Sequence, residues 1–223
     1  MNTLATNSIQ SKIIIAIALI FFTVLATSTW LTASNERSLA QEIALDKARV
    51  MAQSYFDGIN TMMLTGTMDQ HEALRKKVLS TEGVREIRVV HAPGVLDGIT
   101  TSPSKPQDAL DERGIKGEMV NEYGEDENGR FVTVLTPLPA SANHMGTNCL
   151  TCHQVPQGTV LGAVRMTYSL KQLDGEFRSN LLVVAGLNLV LSVRGVALVI
   201  FLLRSIVIVP LSKMRTSMQV IEQ

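Results

Sequence analysis

The chain has 223 residues, with 20 Lys or Arg against 20 Asp or Glu, so its formal net charge is zero. That balance gives no basic footprint for nucleic acid, and two cysteines exclude a disulfide framework. Mean hydropathy is nonetheless positive, +0.20, while 18% of residues are charged, which points to a polar domain tied to very apolar segments.

The first such segment runs from Ile13 to Leu31 without a charged residue. At about 1.5 Å per residue it crosses a hydrocarbon core of about 30 Å. Its length exceeds the roughly 7–15 residues of a signal-peptide core, and Ala26-Thr27-Ser28 only loosely fits a cleavage site. Residues 1–12 are therefore expected as a cytoplasmic tail and 13–32 as a transmembrane helix. Asn35 to Leu64 continues as a helix with an apolar stripe of Leu39, Ile43, Val50, Met51, Tyr55, Ile59, Met62 and Met63. Gly66 is the expected stop. Asp69 to Leu79 reads as a short helix with Asp69 as N-cap, and Val84 to His91 as a strand.

Ala92-Pro93-Gly94 turns the chain. Residues 95–128, rich in Asp, Glu, Gly, Ser and Pro, read as loops around one short helix near Asp108 to Arg113. The acidic run Glu125-Asp126-Glu127 reads as a solvated loop. Arg130 to Leu138 and Thr159 to Tyr168 are further strands, and Ser169 to Ser179 starts a helix entering a second apolar run, Leu181 to Leu203. Residues 180–203 are the expected second transmembrane helix. Arg194 lies near its middle, at about 2.5–3.5 kcal/mol on insertion scales, to be met by tilt and snorkelling or by a polar partner such as Asn188 of a neighbouring chain. The fold class expected for residues 33–179 is α+β: helix, small antiparallel sheet with loops, helix.

Lys12 precedes the first span, and Arg204, Lys213 and Arg215 follow the second. The positive flanks put both termini in the cytoplasm and residues 33–179 outside, in a two-pass protein of the bacterial inner membrane.

The two cysteines stand as Cys149-Leu150-Thr151-Cys152-His153. C-x-x-C-H places two thiols and an imidazole where a haem needs two thioethers and an axial iron ligand. Haem c attachment takes place on the outer side of the membrane, in agreement with the topology. One haem c per chain is expected, bound through Cys149 and Cys152, with His153 on the iron. A thioredoxin-like pair wants a βαβ context, and a zinc site completed by His153 and His144 would have unusual spacing. The sixth ligand is left open among Met62, Met63, a His or none. His71, His91 and His144 are rivals that read as surface residues. No nucleophile–base motif points to an enzyme.

From Tyr55 to Leu170 the chain resembles the periplasmic haem c domains of bacterial methyl-accepting chemotaxis receptors and related sensors, through GINTMMLTGTM at 58–68, VREIRVVH at 84–91 and CLTCHQVPQGTVLGAVRMTYSL at 149–170. The resemblance implies a PAS/Cache-like domain between two membrane helices, a homodimer, and Met63 of the long helix as distal iron ligand. Val209-Pro210-Leu211-Ser212-Lys213-Met214 resembles the start of a HAMP module, so 204–223 is expected as a partial HAMP-like segment facing a cytoplasmic signalling partner. The implied function is sensing of redox state or a small diatomic ligand. The alternative is a membrane-anchored monohaem electron carrier.

Overall fold

The computed structural model describes residues 9–94 and 104–208. The chain divides into two units, Met1–Glu36 with Glu176–Gln223, and Arg37–Gly175. The expected loop at 95–103, most of the tail at 1–12, and the HAMP-like motif from Val209 onward lie outside the described residues.

Helix α1 (Ile9–Thr65) contains the first apolar run and the whole segment that follows it. Helix α4 (Lys171–Leu202) contains nearly all of the second, and Leu203–Ile208 follow as π-helix. Both helices are long and apolar enough to cross a membrane, one near each end of the chain. In the first unit they meet at Gly195 and at Asn180 of α4. A β-carbon on Gly195 would lie 3.0 Å from the Phe21 ring, and Asn180 Nδ2 donates to Glu36 Oε1 at 2.7 Å.

The second unit is α+β. Four strands, β1 (Val84–His91), β2 (Val120–Asp126), β3 (Gly129–Pro139) and β4 (Val160–Ser169), form one antiparallel sheet in the order β1-β4-β3-β2. Both faces are covered. Even residues of β4 (Val164, Met166 and Tyr168) are buried on one face, where the Lys47 ammonium of α1 lies 5.9 Å from the Tyr168 ring. On the other face Ala163 and Leu135 pack beneath Gly114 of α3 (Ala109–Ile115). The alternation follows from the two-residue period of a strand.

The core stripe of α1 differs from the expected one. Ala40, Ala44, Ala48, Ala52, Tyr55 and Ile59 are buried, whereas Leu39 is 47% and Val50 65% exposed. A four-residue ladder of alanines lets a helix lie close to its neighbour, and the bulkier Leu39–Val50 line turns out to solvent. Gly66 ends α1 as expected. Its φ of 70°, with Thr67 N–H on Met62 O at 2.9 Å and Gly66 N–H on Met63 O at 3.4 Å, makes a Schellman cap.

Two further local expectations are corrected. Asp69 is not an N-cap: it lies in a 3-10 turn, Met68–Gln70, and α2 (His71–Leu79) starts after Gln70 without a side-chain cap. The acidic stretch is strand rather than loop up to Asp126. Strand β2 buries only Val120, and as an edge strand it carries charge instead of an apolar alternation. Asp126 is held by Arg85 Nη2 at 2.6 Å.

Under α3 lies a buried ionic network. Asp111 is fully buried and accepts from Arg88 Nη2 at 2.5 Å, Arg165 Nη1 at 2.9 Å and Gln107 N–H at 2.8 Å. Glu86 bridges Arg88 and Arg165 at 2.7 and 3.0 Å, and Asp108 takes Arg165 at 2.7 Å. Asp108 also caps α3, accepting from Asp111 N–H at 3.0 Å.

Candidate functional site

Strand β3 ends at Pro139 and β4 begins at Val160; the chain between them carries the C-x-x-C-H motif. Main-chain hydrogen bonds close its neck: Ala140 N–H to Thr159 O at 2.8 Å and Gly158 N–H to Ala140 O at 2.8 Å. Inside the neck, Cys149 N–H donates to Ser141 O at 2.9 Å. The motif opens as a 3-10 turn, Cys149–Thr151, capped by Asn148 Oδ1 accepting from Leu150 N–H at 3.0 Å. In that turn residues i and i+3 eclipse, so Cys149 and Cys152 project to one side. Both are free thiols, Cys149 half-buried and Cys152 exposed. His153 N–H donates to Cys149 O at 3.0 Å, and its side chain is half-buried.

A tight hairpin precedes the motif. His144 and Thr147 exchange main-chain hydrogen bonds at 2.7 and 2.9 Å, and the two residues between them both have positive φ, 47° at Met145 and 88° at Gly146. This is the I′ arrangement. Glycine suits it, but a methionine there is strained by about 1–2 kcal/mol. The hairpin is docked on α1. The His144 ring packs edge-on to Phe56 with centroids 5.2 Å apart, and Asn60 Nδ2 donates to Thr147 Oγ1 at 3.0 Å.

Phe56, Asn60 and Met63 follow at i, i+4 and i+7, so they share one face of α1. Met63 is thus on the helix face that holds the motif loop, and it is 43% exposed. Met62 is half-buried and turned well away from that face. Phe56, Asn60 and Thr147 were not singled out from the sequence; their i, i+4 spacing ahead of Met63 was the available signal.

The three remaining histidines, expected at the surface, are half-buried. The Tyr55 phenol and His71 Nε2 are 2.7 Å apart. Burial raises the phenol to about 12, outweighing Arg75, and burial lowers the His71 imidazole despite the pull of Glu72. His91, at the end of β1, is lowered by burial and by nearby His71. His91 Nδ1 and His144 Nε2 are buried with no hydrogen-bond partner among the described residues. Register brings His91 opposite Gly162, where a β-carbon would stand 2.4 Å from Val90 O, so the strands close on each other only with glycine there.

These features bear on the cofactor the motif implies. Among the described residues no group of three or more His, Cys, Asp or Glu converges to hold a bare metal ion. A haem c asks for two thiols and one imidazole in one short segment. Cys149, Cys152 and His153 fit that demand, and the hairpin just before them carries the buried His144 nitrogen that has no partner among the described residues. No protein-family model matches the chain, and no curated protein matches it.

Proposed function

We propose that this chain is a membrane-anchored c-type haem protein acting as a periplasmic sensor. The observation that carries it is the C-x-x-C-H turn, with two free thiols on one side, in a closed loop docked on the α1 face that bears Met63. Cys149 and Cys152 would hold the haem by thioethers, and His153 and Met63 would be its iron ligands. When bound, the haem would supply a reversible one-electron iron centre, or a site for a diatomic ligand that displaces Met63.

The domain is of the PAS/Cache-like kind, and the four-stranded antiparallel sheet with flanking helices supports that reading. The sensing role rests on α1. One helix carries Phe56, Asn60 and Met63 and also the first apolar run, so a shift at Met63 acts on the element that enters the membrane. A homodimer in the inner membrane and a cytoplasmic signalling partner complete the proposal.

The test is a haem stain after denaturing electrophoresis, with intact-mass measurement, on membranes from cells that carry out haem c attachment. Wild-type chain is expected to keep the stain and one haem's mass. A Cys149→Ala/Cys152→Ala variant of equal abundance should lose both. An unstained wild-type chain under these conditions would reject the haem. Reduction in step with respiration, without any change in α1 spin-label distances between oxidation states, would favour the electron-carrier alternative.

A further inference from the structure

The contacts between α1 and α4 in the first unit fix their register. Gly195 meets Phe21, and Asn180 meets Glu36; in both pairs the two numbers sum alike, as two antiparallel helices require. Arg194 is therefore level with Phe22, about 14 Å of helix from either end of the run Ile13–Leu31. A side chain that snorkels covers only part of that distance.

Gly195 faces α1, and its neighbour Arg194 is exposed. Arg194 belongs to a line that advances by four and three residues: Leu187, Leu191, Arg194, Leu198 and Phe201. The four apolar members are each more than half exposed. That spacing is the seam of a helix pair. A guanidinium at mid-membrane depth is costly unless paired. The chain offers it no carboxylate at that depth, because Ile13–Leu31 and Leu181–Leu203 contain no Asp or Glu, and Asn188 lies about 9 Å of helix away. A second copy of the chain has the same deficit at that depth.

We propose that this outward face of α4 docks a transmembrane helix of a different protein, one with a carboxylate near its middle opposite Arg194. The proposal rests on α4 being a membrane span. Charge complementarity sets the partner's chemistry, and the Leu187–Phe201 line sets where its helix lies.

The test uses the full chain in phosphatidylcholine vesicles, labelled for energy transfer to a synthetic polyleucine transmembrane helix with a single central Glu or Gln. The Glu helix is expected to associate at least tenfold more strongly than the Gln helix. Arg194→Leu, which inserts more easily than wild type, should abolish that preference. Leu191→Ala with Leu198→Ala should weaken it, whereas Leu182→Ala, on another side of α4, should not. Equal binding of the two probes would overturn the proposal, as would a preference that survives Arg194→Leu or is indifferent to Leu191 and Leu198. Alkaline carbonate extraction of the same vesicles separates the premises. Release of the chain would refute the span itself, and retention without a Glu preference would refute only the docking face.

Discussion

Replacing Asp111 by alanine removes the acceptor on which two arginines and one main-chain amide converge under α3. Asp111 is fully buried, and the side chains of Arg88 and Arg165 are only 8% and 12% exposed. Removing one partner of a buried ion pair typically costs about 3–5 kcal/mol. Both arginines keep Glu86, and Arg165 keeps Asp108, which puts the ionic part near the lower end, about 3 kcal/mol. The Gln107 amide loses its acceptor and adds about 1 kcal/mol. The expected loss is therefore about 3–4 kcal/mol, measured by urea unfolding of the detergent-solubilised full chain and followed by circular dichroism. A triple change, Asp111→Leu with Arg88→Met and Arg165→Met, should recover part of it, because the charges it leaves unpaired, Glu86 and Asp108, have side chains 34% and 43% exposed and stay solvated. A loss below about 1 kcal/mol for Asp111→Ala, the scale of an exposed pair, would show that water reaches the network and would refute the reasoning.

Four further outcomes are expected. In haem-loaded protein, Met63→Ala should abolish the optical signature of thioether ligation while Met62→Ala keeps it; the reverse would reassign the ligand. Gly66→Ala should cost about 1–2 kcal/mol from its positive φ alone, since nothing lies within 4 Å of the added carbon. Gly162→Ala should cost more in the same unfolding assay, because its carbon strikes Val90 O. On acidification, Asp108 should lose its contribution to stability: burial pushes its carboxyl up, but the Asp111 N–H and Arg165 prevail and hold it below the ordinary value. A depressed folded value means this stability is complete above the unfolded carboxylate range, about 3.9, and is lost as pH falls through the lower folded value. Asp108→Asn should flatten that part of a stability–pH curve.

Much of the fold was legible where periodicity and punctuation agree. The strand expected at Val84 to His91 has those bounds, and Gly66 stops α1 because only a glycine enters the left-handed turn cheaply. Legibility failed where the decisive property was not hydrophobicity. The line of alanines in α1 was outranked by bulkier Leu39 and Val50, yet close packing selects small side chains. Strand β2 owes its pairing to an edge position and not to an apolar alternation. The motif was plain in the sequence because its five residues are contiguous. The docking of its loop through Phe56, Asn60, His144 and Thr147 depends on contacts across 87 residues of sequence, which no local pattern encodes.

The closed neck of the motif loop has a consequence for how such a chain changes over time. Ala140, Gly158 and Thr159 join through main-chain atoms alone, so the strands on either side do not depend on what the intervening loop spells. A single insertion or deletion there can bring in a Cys-x-x-Cys-His pentapeptide, or remove it, while the register of β3 on β4 stays as it is. The sheet is thus a socket and the loop an exchangeable cassette. A different loop at that corner would present different side chains on the same frame.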